Sequence, residues 1–488
     1  MHPGRRECRS LALLTDLYQL TMAYGYFRAG KQNDDAVFHL FFRENPFEGG
    51  YAVAAGLEHA IDYLENLRFT DEDLDDLRAL RGDDGSRLFP EDFIEYLRGF
   101  ELSCDVDAIP EGTLVFPHEP LVRVRGPILE AQIVETALLN MINFQTLIAT
   151  KAARVVLAAG GDPVFDFGLR RAQGIDGGLA ASRAAYVGGV AGTSNVLAGA
   201  MFGIPAKGTH AHSWVMSFAS ELEAFRKYAE VMPENALLLV DTYDTLDGVA
   251  NAIEAGRQLR ENGHDLAGIR LDSGDLAYLS IQARKMLDEA GFEKTSIAAS
   301  NDLDEHLITS LKQQGSRIDV WGVGTRLITA FDQPALGGVY KLTAIRTAGT
   351  EWQYKIKLSE QAIKISNPGI LQVRRFMVDG EAAGDMIFSE DGAKPGLTIV
   401  DPLDQTRRKR FGESAIAEDL LVPVFRGGAR VYDPPPLDEV RKRRAAQLQL
   451  FHPGIKRLVN PHRYPVGLEQ QLFDLKMKLV MEARGMSS

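Results

Sequence analysis

The middle of the chain alternates short apolar runs with amphipathic stretches. Six runs each end in a polar cluster and recur at about the interval of one strand plus one helix: PVFDFGLRR, IPAKGTHAHS, ALLLVDTYD, AGIRLDSGD, SIAASND and IDVWGVGT. Strands that alternate with helices predict a parallel sheet, and six such units favour a closed or nearly closed α/β barrel. Loops at the carboxyl ends of barrel strands converge on one face. The pattern therefore predicts one pocket, formed by Asp166, Arg170, Thr209, His212, Asp241, Arg270, Asp272, Asn301 and Gly324.

The sequence on either side of these repeats follows other periods. DAVFHLFF alternates as a strand does, whereas YAVAAGLEHAIDYLENL, DEDLDDLRAL and PEDFIEYLRGF have helical spacing, and a long helical pattern runs from Leu129 to about Leu157. Strand-like segments return after Tyr340, and PPPLDEVRKRRAAQLQ predicts a helix start. We therefore predict an α/β protein with four parts: an α+β domain at 1–135, an irregular TIM-like barrel at 136–340, a strand-rich return to the α+β sandwich at 341–430 and a helical tail at 431–488.

Composition and charge narrow the class of protein. The chain has 488 residues, 45% of them hydrophobic and 25% charged, which is typical of a large globular enzyme. The net charge of -13 argues against a nucleic-acid partner, and the basic quartets at 407–410 and 441–444 are predicted to be solvated faces.

The cysteine count and the start of the chain indicate a compartment. The two cysteines, Cys8 and Cys104, exclude a disulfide framework and a four-cysteine zinc site. Thr15 and Asp16 interrupt the first apolar run too early for a signal sequence or a membrane span. We expect a cytoplasmic protein without a membrane partner.

Several motifs together carry a family resemblance. TDLYQLTMAYGYF, FDFGLRRAQG, GGVAGTSNVLAG, GTHAHSWVMSF, IRLDSGD, DVWGVGTRL and KISNPG occur in the order found in nicotinate phosphoribosyltransferases, and the resemblance covers about residues 10 to 375. It implies the type II phosphoribosyltransferase fold and the synthesis of nicotinate mononucleotide and pyrophosphate from nicotinate and phosphoribosyl pyrophosphate, in NAD salvage. It also implies Mg²⁺, ATP hydrolysis coupled through a phosphohistidine, and a homodimer with shared active sites.

The GTHAHS segment contains the candidate phosphoacceptor. A neutral imidazole nitrogen accepts and returns a phosphoryl group, although a lone histidine is more often a hydrogen-bonded core residue. The segment is expected to be an extended strand end, with His210 and His212 on one face. The resemblance assigns the phosphohistidine to His212 and leaves His210 as the less favoured candidate.

The nicotinate pocket is predicted from an aromatic ring and an arginine. Arginine offers a planar fork for a carboxylate, and the Phe167 ring can stack on a pyridine. By resemblance Phe167 and Arg170 belong to this pocket, whereas the role of Arg171 stays open. The resemblance also implies that Asp16 and Tyr18 close the pocket from a second subunit. The alternative for TDLYQL is a helix cap and a packed tyrosine.

The remaining predicted contacts serve ribose and phosphates. Asp272 suits the ribose or Mg²⁺, and Arg270 suits a phosphate or the nicotinate carboxylate, with a surface ion pair as the alternative. The glycines of WGVGT let backbone N–H groups approach a phosphate. Asp275 has two possible roles, as part of this site or as an acidic residue at the N-terminus of a helix. The resemblance adds the substrate contacts Ser194, Thr209, Asn301, Gly322, Gly324, Thr325 and Ser366.

Three alternatives stay open at this point. The first is a nicotinamide-using relative. In such relatives an aspartate stands at the position that Ser194 resembles. The second is a catalytically silent relative that binds a nucleotide or partner in the same pocket. The third is a Schiff base at Lys207. The sequence argues against it, because it shows no neighbours that would desolvate this lysine.

Overall fold

The computed structural model describes residues 10–486, so Cys8 lies outside the described residues. The chain divides into two compact units. The first unit contains the residues up to Thr146, Ala335–Pro436 and the residues from Lys442 onward. The second unit contains Leu147–Pro334 and Leu437–Arg441. Within residues 10–486, no helix combines the length and the apolar character that a membrane crossing needs.

The first part of the chain supplies helices and short strands to the first unit. In order, they are α1 (Leu17–Arg28), β1 (Asp35–Phe41), β2 (Ala52–Val53), α2 (Leu57–Glu65), α3 (Asp71–Ala79), α4 (Glu91–Arg98), β3 (Asp105–Ala108), β4 (Leu114–Val115), β5 (Val122–Pro127), α5 (Ile128–Ile133) and α6 (Glu135–Ala159). Cys104 precedes β3 as a buried free thiol.

The middle of the chain alternates strands and helices. Its elements are β6 (Val164–Asp166), α7 (Ile175–Val187), β7 (Gly192–Thr193), α8 (Val196–Phe202), α9 (His212–Met216), α10 (Glu221–Val231), β8 (Leu237–Leu239), α11 (Thr245–Glu261), β9 (Gly268–Leu271), α12 (Leu276–Glu289), β10 (Ser296–Ala299), α13 (Glu305–Gln313), β11 (Val320–Val323) and α14 (Thr325–Ile328).

The last part of the chain is mainly β-structure followed by two helices. It contains β12 (Val339–Arg346), β13 (Gln353–Tyr354), β14 (Leu371–Val378), β15 (Glu381–Ser389), β16 (Thr398–Val400), β17 (Arg408–Arg410), β18 (Ile416–Asp419), β19 (Val422–Arg426), β20 (Ala429–Arg430), α15 (Leu437–Leu450), β21 (Val466–Glu469) and α16 (Gln470–Ala483).

The first unit is built on two large sheets with strands from distant parts of the chain. One has seven strands in the order β13-β12-β1-β5-β3-β19-β20, and the other has six in the order β17-β16-β21-β15-β14-β18. The buried ring of His39 links them, because its Nε2 accepts from the N–H of Leu371 at 3.1 Å and its Nδ1 lies 3.0 Å from Thr343 Oγ1. The α+β part of the fold prediction is thereby confirmed.

The second unit contains a parallel sheet of six strands in the order β7-β6-β11-β10-β9-β8. The first strand, β6, therefore pairs with the last, β11, as the chain order of a barrel requires. Among the described residues the ladder stays open between β7 and β8. The parallel α/β sheet is confirmed, whereas a fully closed barrel is not shown.

A loop bridges the opening in this sheet. Ala206 forms a parallel bridge with Thr193 at the β7 edge. His210 Nε2 accepts from the N–H of Leu239 in β8 at 3.1 Å. The segment from Ala206 to His210 therefore reaches from one edge strand to the other. The predicted strand in IPAKGTHAHS is wrong: Pro205 and Gly208 disfavour a ladder, and only this one bridge forms.

One of the two basic quartets differs from its prediction. Arg408–Arg410 form an exposed strand, as expected for a solvated face. In the other quartet, the Arg441 guanidinium donates to the carbonyl oxygens of Gly189 and Val190, at 2.9 and 3.2 Å, and Arg444 is only 7% exposed. Arg441 and Arg444 are therefore structural rather than solvated, whereas Lys442 is exposed.

Candidate active site

A cavity of about 350 Å³ lies at the carboxyl ends of the parallel strands, within the second unit. The predicted site residues from Phe167 to Thr325 line it, with the exceptions of Asp241 and of His212, whose Nε2 is 3.9 Å from the lining residue Asp272. The lining consists of Phe167, Arg170, Arg171, Ser194, Gly208, Thr209, His210, Ala211, Arg270, Asp272, Ser300, Asn301, Asp302, Gly322, Gly324 and Thr325. Asp166 and Asp241, predicted for the pocket, are not among these lining residues.

Arg270 is the most buried cation of the cavity wall. Its side chain is 13% exposed, and its Nη1 donates to Thr209 Oγ1 at 2.7 Å. Burial lowers the pKa of the guanidinium and nearby Arg170 acts in the same direction, whereas Asp272 and Asp241 oppose them. The Nε atom is buried without a hydrogen-bond partner. Arg270 therefore has a free donor, and it lines the same cavity as a second cation, Arg170.

Asp272 is fixed by its neighbours at the end of β9. Its N–H donates to Asp241 Oδ2 at 2.8 Å, and the hydroxyl of Ser273 donates to the same oxygen at 2.7 Å. The Ser300 hydroxyl donates to Asp272 Oδ1. Asp241 thus positions the loop that carries Asp272 from behind the cavity.

The two histidines of GTHAHS have different environments, and they do not share one face of a strand. Helix α9 begins at His212, whose Nδ1 lies 3.1 Å from Thr242 Oγ1. Both ring nitrogens of His210 have partners, since Nε2 accepts from Leu239 and Nδ1 lies 3.3 Å from the Ala211 carbonyl oxygen. Burial lowers the pKa of His210 to about 4. His210 is therefore a neutral structural ring, and His212 is the more accessible one.

The Phe167 ring lies directly over the backbone of β11. A Cβ atom on Gly322 would be 2.6 Å from two carbon atoms of this ring, so the contact requires glycine. The Phe167 N–H also donates to the Val323 carbonyl oxygen at 2.8 Å. Gly322 of WGVGT therefore makes room for the aromatic ring, a role that the sequence did not reveal.

Asp16 and Tyr18 belong to the first unit, where they begin α1. Asp16 is the N-cap residue, with its N–H 3.0 Å from Gln19 Oε1, and its side chain accepts from Thr136 at 2.8 Å. Tyr18 is 46% exposed. Its pKa is raised mainly by partial burial and secondly by the negative charge of Glu135. The capping geometry is present, and the role of both residues in a pyridine pocket stays a prediction.

Ser366 also belongs to the first unit, and its hydroxyl is already engaged. The residue is 3% exposed, and its Oγ accepts from the N–H of Lys357 at 2.9 Å. The hydroxyl hydrogen still has to find an acceptor, so substrate binding by Ser366 stays a prediction. Asp275, by contrast, caps α12 by accepting from the N–H of Tyr278 at 3.0 Å.

The donor chemistry beside Asp272 suits the Mg²⁺ that the resemblance implies. Asp241 Oδ1 is buried without a hydrogen-bond partner, and Asp272 offers a second carboxylate. Mg²⁺ is commonly held by one or two carboxylates together with substrate phosphates. Within residues 10–486, no group of three or more His, Cys, Asp or Glu side chains is arranged to hold a metal. The described residues would therefore supply only part of a coordination shell.

Three family models match successive parts of the chain. The nicotinate phosphoribosyltransferase (NAPRTase) N-terminal domain matches residues 13–143, the NAPRTase family model matches 163–367, and the C-terminal domain matches 372–476.

Relatives and solved structures agree with these matches. A nicotinate phosphoribosyltransferase of Bacillus subtilis (strain 168) is 47% identical over 97% of this chain and 96% of the relative, and nicotinate phosphoribosyltransferase 2 of Arabidopsis thaliana is 39% identical over 95% and 93%. The crystal structure of human nicotinic acid phosphoribosyltransferase is 34% identical, with a TM-score of 0.83 over 95% of this chain and 99% of that chain. A nicotinate-nucleotide pyrophosphorylase from Pyrococcus furiosus shares the fold, with 22% identity and a TM-score of 0.70 over 92% of this chain and 98% of that chain. The chain therefore belongs to the nicotinate phosphoribosyltransferase family.

Proposed function

We propose that this protein transfers the phosphoribosyl group of phosphoribosyl pyrophosphate to nicotinate, in NAD salvage, and couples this reaction to ATP hydrolysis through His212. The observation that carries the proposal is the composition of one cavity, in which Arg170, Arg270, Phe167 and Asp272 all line the wall. An aromatic ring, two cations and a carboxylate match a pyridine carboxylate and a sugar bearing phosphates.

The transfer breaks the bond between the anomeric carbon and a pyrophosphate oxygen and forms a bond from that carbon to the pyridine nitrogen. The electron pair of the broken bond leaves with pyrophosphate. Positive charge develops on the ribose, so the residues act by alignment and charge stabilisation. Arg170 and Phe167 hold the nicotinate carboxylate and ring, Asp272 faces the ribose, and Arg270 binds a phosphate. Mg²⁺, held by Asp272 and Asp241 with the substrate, would neutralise pyrophosphate charge.

Energy coupling uses a second group transfer. A ring nitrogen of His212 forms a bond to the terminal phosphorus of ATP while the P–O bond to ADP breaks, and water later cleaves the P–N bond to release phosphate. The Thr242 hydroxyl, 3.1 Å from Nδ1, and Asp272, 3.9 Å from Nε2, are placed to orient this ring. His210 is a weaker candidate because both of its ring nitrogens already have partners.

The coupling predicts a labelled protein. ATP labelled at the terminal phosphate should transfer an acid-labile label to the wild type and to His210→Gln, but not to His212→Ala. Synthesis without ATP should survive in His212→Ala, since its ring is not part of the cavity lining. Label that persists in His212→Ala and disappears in His210→Gln would assign the phosphoryl group to the other histidine.

The assay that tests the main activity measures product from labelled nicotinate and phosphoribosyl pyrophosphate with magnesium, with and without ATP. We expect nicotinate mononucleotide and pyrophosphate in equal amounts, and a shift toward product when ATP is present. Labelled nicotinamide is run in parallel. Product from nicotinamide alone would favour the amide-using alternative, and no product from either would favour a silent relative.

The resemblance further implies a homodimer in which the amino-terminal segment of one copy closes the pocket of the other. This part of the proposal rests on the TDLYQL motif alone. A two-fold arrangement creates two such pockets by symmetry. Activity would then require the dimer.

A further inference from the structure

A buried carboxylate behind the cavity joins two of its walls. Asp166 ends β6 and is 0% exposed. Its Oδ1 accepts from the N–H of Gly168 at 2.9 Å, and its Oδ2 accepts from the hydroxyls of Ser182 at 2.8 Å and Thr193 at 2.7 Å. Burial raises the pKa of Asp166, and these three donors act against that effect. The donors thus hold the carboxylate in one orientation without a cation.

On one side, Asp166 shapes the turn that carries the aromatic wall. The bond from Gly168 closes a short side-chain turn immediately after the strand. Phe167 and Arg170 lie within and just after this turn, and both line the cavity. A Cβ atom on Gly168 would be 2.5 Å from Ile328, so the turn is packed tightly as well as hydrogen-bonded.

On the other side, Asp166 holds the loop that carries Ser194. The N–H of Ser194 donates to the Asp166 carbonyl oxygen at 2.8 Å, and the N–H of Asn195 donates to Thr193 Oγ1 at 3.0 Å. The Asn195 amide also donates to Ser182 Oγ at 3.2 Å. Ser194 is therefore held on one side by the main chain of Asp166 and on the other through Thr193 and Ser182, whose hydroxyls both donate to the Asp166 carboxylate.

We propose that Asp166 is a positioning residue that fixes the spacing between Ser194 and the Phe167–Arg170 turn, and thereby determines how a pyridine carboxylate fits between them. This inference rests on the proposed nicotinate transfer. The phosphoribosyl contacts Arg270 and Asp272 lie at the end of a different strand, β9, and their hydrogen bonds go to Thr209, Asp241 and Ser300 rather than to this network. Loss of the network should therefore affect nicotinate more than phosphoribosyl pyrophosphate.

The test removes single hydroxyl donors and leaves the carboxylate in place. Thr193→Val keeps the shape of the side chain, Thr193→Ser restores the hydroxyl, and Ser182→Ala removes the other donor. We expect Thr193→Val and Ser182→Ala to raise the KM for nicotinate about tenfold, as small displacements of a substrate wall do. The KM for phosphoribosyl pyrophosphate should stay within about twofold. Thr193→Ser should return both constants to near wild type.

Thr295→Val is the matched control. Thr295 is also a buried threonine of the second unit, 2% exposed, and its hydroxyl donates to the Leu266 carbonyl oxygen at 3.0 Å, just before β10 begins. It should lose stability without a selective change in the KM for nicotinate. Equal effects of Thr193→Val on both substrates, or the same selective effect in Thr295→Val, would overturn the inference. A wild-type enzyme that makes no nicotinate mononucleotide would instead refute the proposed function.

Discussion

Ser194 is the residue at which the cavity should distinguish an acid from an amide. It lines the wall without bringing a negative charge. An aspartate at this position would lie beside the carboxylate of nicotinate, and a buried like-charge contact opposes binding strongly. Ser194→Asp should therefore lower kcat/KM for nicotinate by about a hundredfold and should allow weak use of nicotinamide.

Ser194→Asn is the control for this prediction, because it has nearly the same size as aspartate and no charge. It should lose much less activity with nicotinate. Equal losses of activity in the two variants would mean that the size of the side chain, rather than its charge, causes the loss. Unchanged selectivity in a folded Ser194→Asp variant would remove Ser194 from the pocket.

His210 should make the protein less stable in acid. Burial lowers its folded pKa to about 4, whereas the unfolded value is near 6.5. The unfolded chain therefore takes up a proton more readily as the pH falls from about 6.5 to 4, and the free energy of unfolding decreases over that range by about 3 kcal/mol from this residue. Urea unfolding at pH 7 and pH 4.5 measures the change.

His210→Gln isolates this contribution from the other groups that titrate. Glutamine can still accept from the Leu239 N–H, and it has no proton to gain. The variant should lose less stability between pH 7 and pH 4.5 than the wild type. Parallel losses in both proteins would show that His210 is not the titrating group.

At the scale of the elements, a substitution in strand β11 tests whether the position against the Phe167 ring has to be glycine. In Gly322→Ala the new methyl group would overlap the ring, with a 2.6 Å approach, so the ring has to leave its position. We expect the KM for nicotinate to rise about tenfold and the KM for phosphoribosyl pyrophosphate to change less. Initial-rate kinetics with each substrate varied separate the two.

Gly177→Ala makes the same chemical change within α7, where nothing lies within 4 Å of the added Cβ. Its kinetic constants should match the wild type. If Gly322→Ala behaves like Gly177→Ala, the ring of Phe167 is either mobile or unimportant for binding.

The strands that could be predicted are those with an apolar run long enough to show a period. The runs that end in Asp166, Leu239, Leu271, Ala299 and Val323 all form paired strands. Strand β7 escaped prediction because Gly192–Thr193 is too short to have a period. The apolar residues before GTHAHS predict a strand end there, although this segment crosses the opening of the sheet mainly through a side-chain hydrogen bond.

The lining residues Arg170, Arg270 and Asp272 could be predicted from the sequence, whereas Ser300, Asp302 and the supporting hydroxyl groups could not. Residues that point into the cavity, such as Arg270 and Asp272, stand out as charges after an apolar run. Their supports, such as Ser182 and Thr242, are single hydroxyls whose partners lie distant in sequence. No local pattern reports such a pair, because it arises only when the strands assemble.

At the scale of the whole molecule, the proposed shared pocket predicts complementation. Tyr18→Ala and Arg270→Ala should each be nearly inactive alone. In a heterodimer one pocket carries both lesions and the other carries neither, so subunit exchange at equal amounts should restore up to about a quarter of wild-type activity. The measurement is product formation after exchange has been demonstrated with differently tagged copies.

Mixing Arg270→Ala with Asp272→Ala is the control, because both lesions lie in the second unit and each pocket of the heterodimer then keeps one defect. This mixture should stay inactive. Recovery in the control, or none in the Tyr18 mixture, contradicts a pocket shared in this way.

The seven-stranded sheet of the first unit has a consequence for how the protein is synthesised. Strand β1 pairs with β5 on one side, but its other partner, β12, ends about 220 residues after β5. At a synthesis rate of 5–20 residues per second, that edge of β1 stays without its partner strand for roughly ten to forty seconds during translation. An unpaired apolar edge is the kind of surface on which nascent chains aggregate or bind chaperones. The whole parallel sheet of the second unit is translated during this wait, so the unit that begins the chain is the last to be finished.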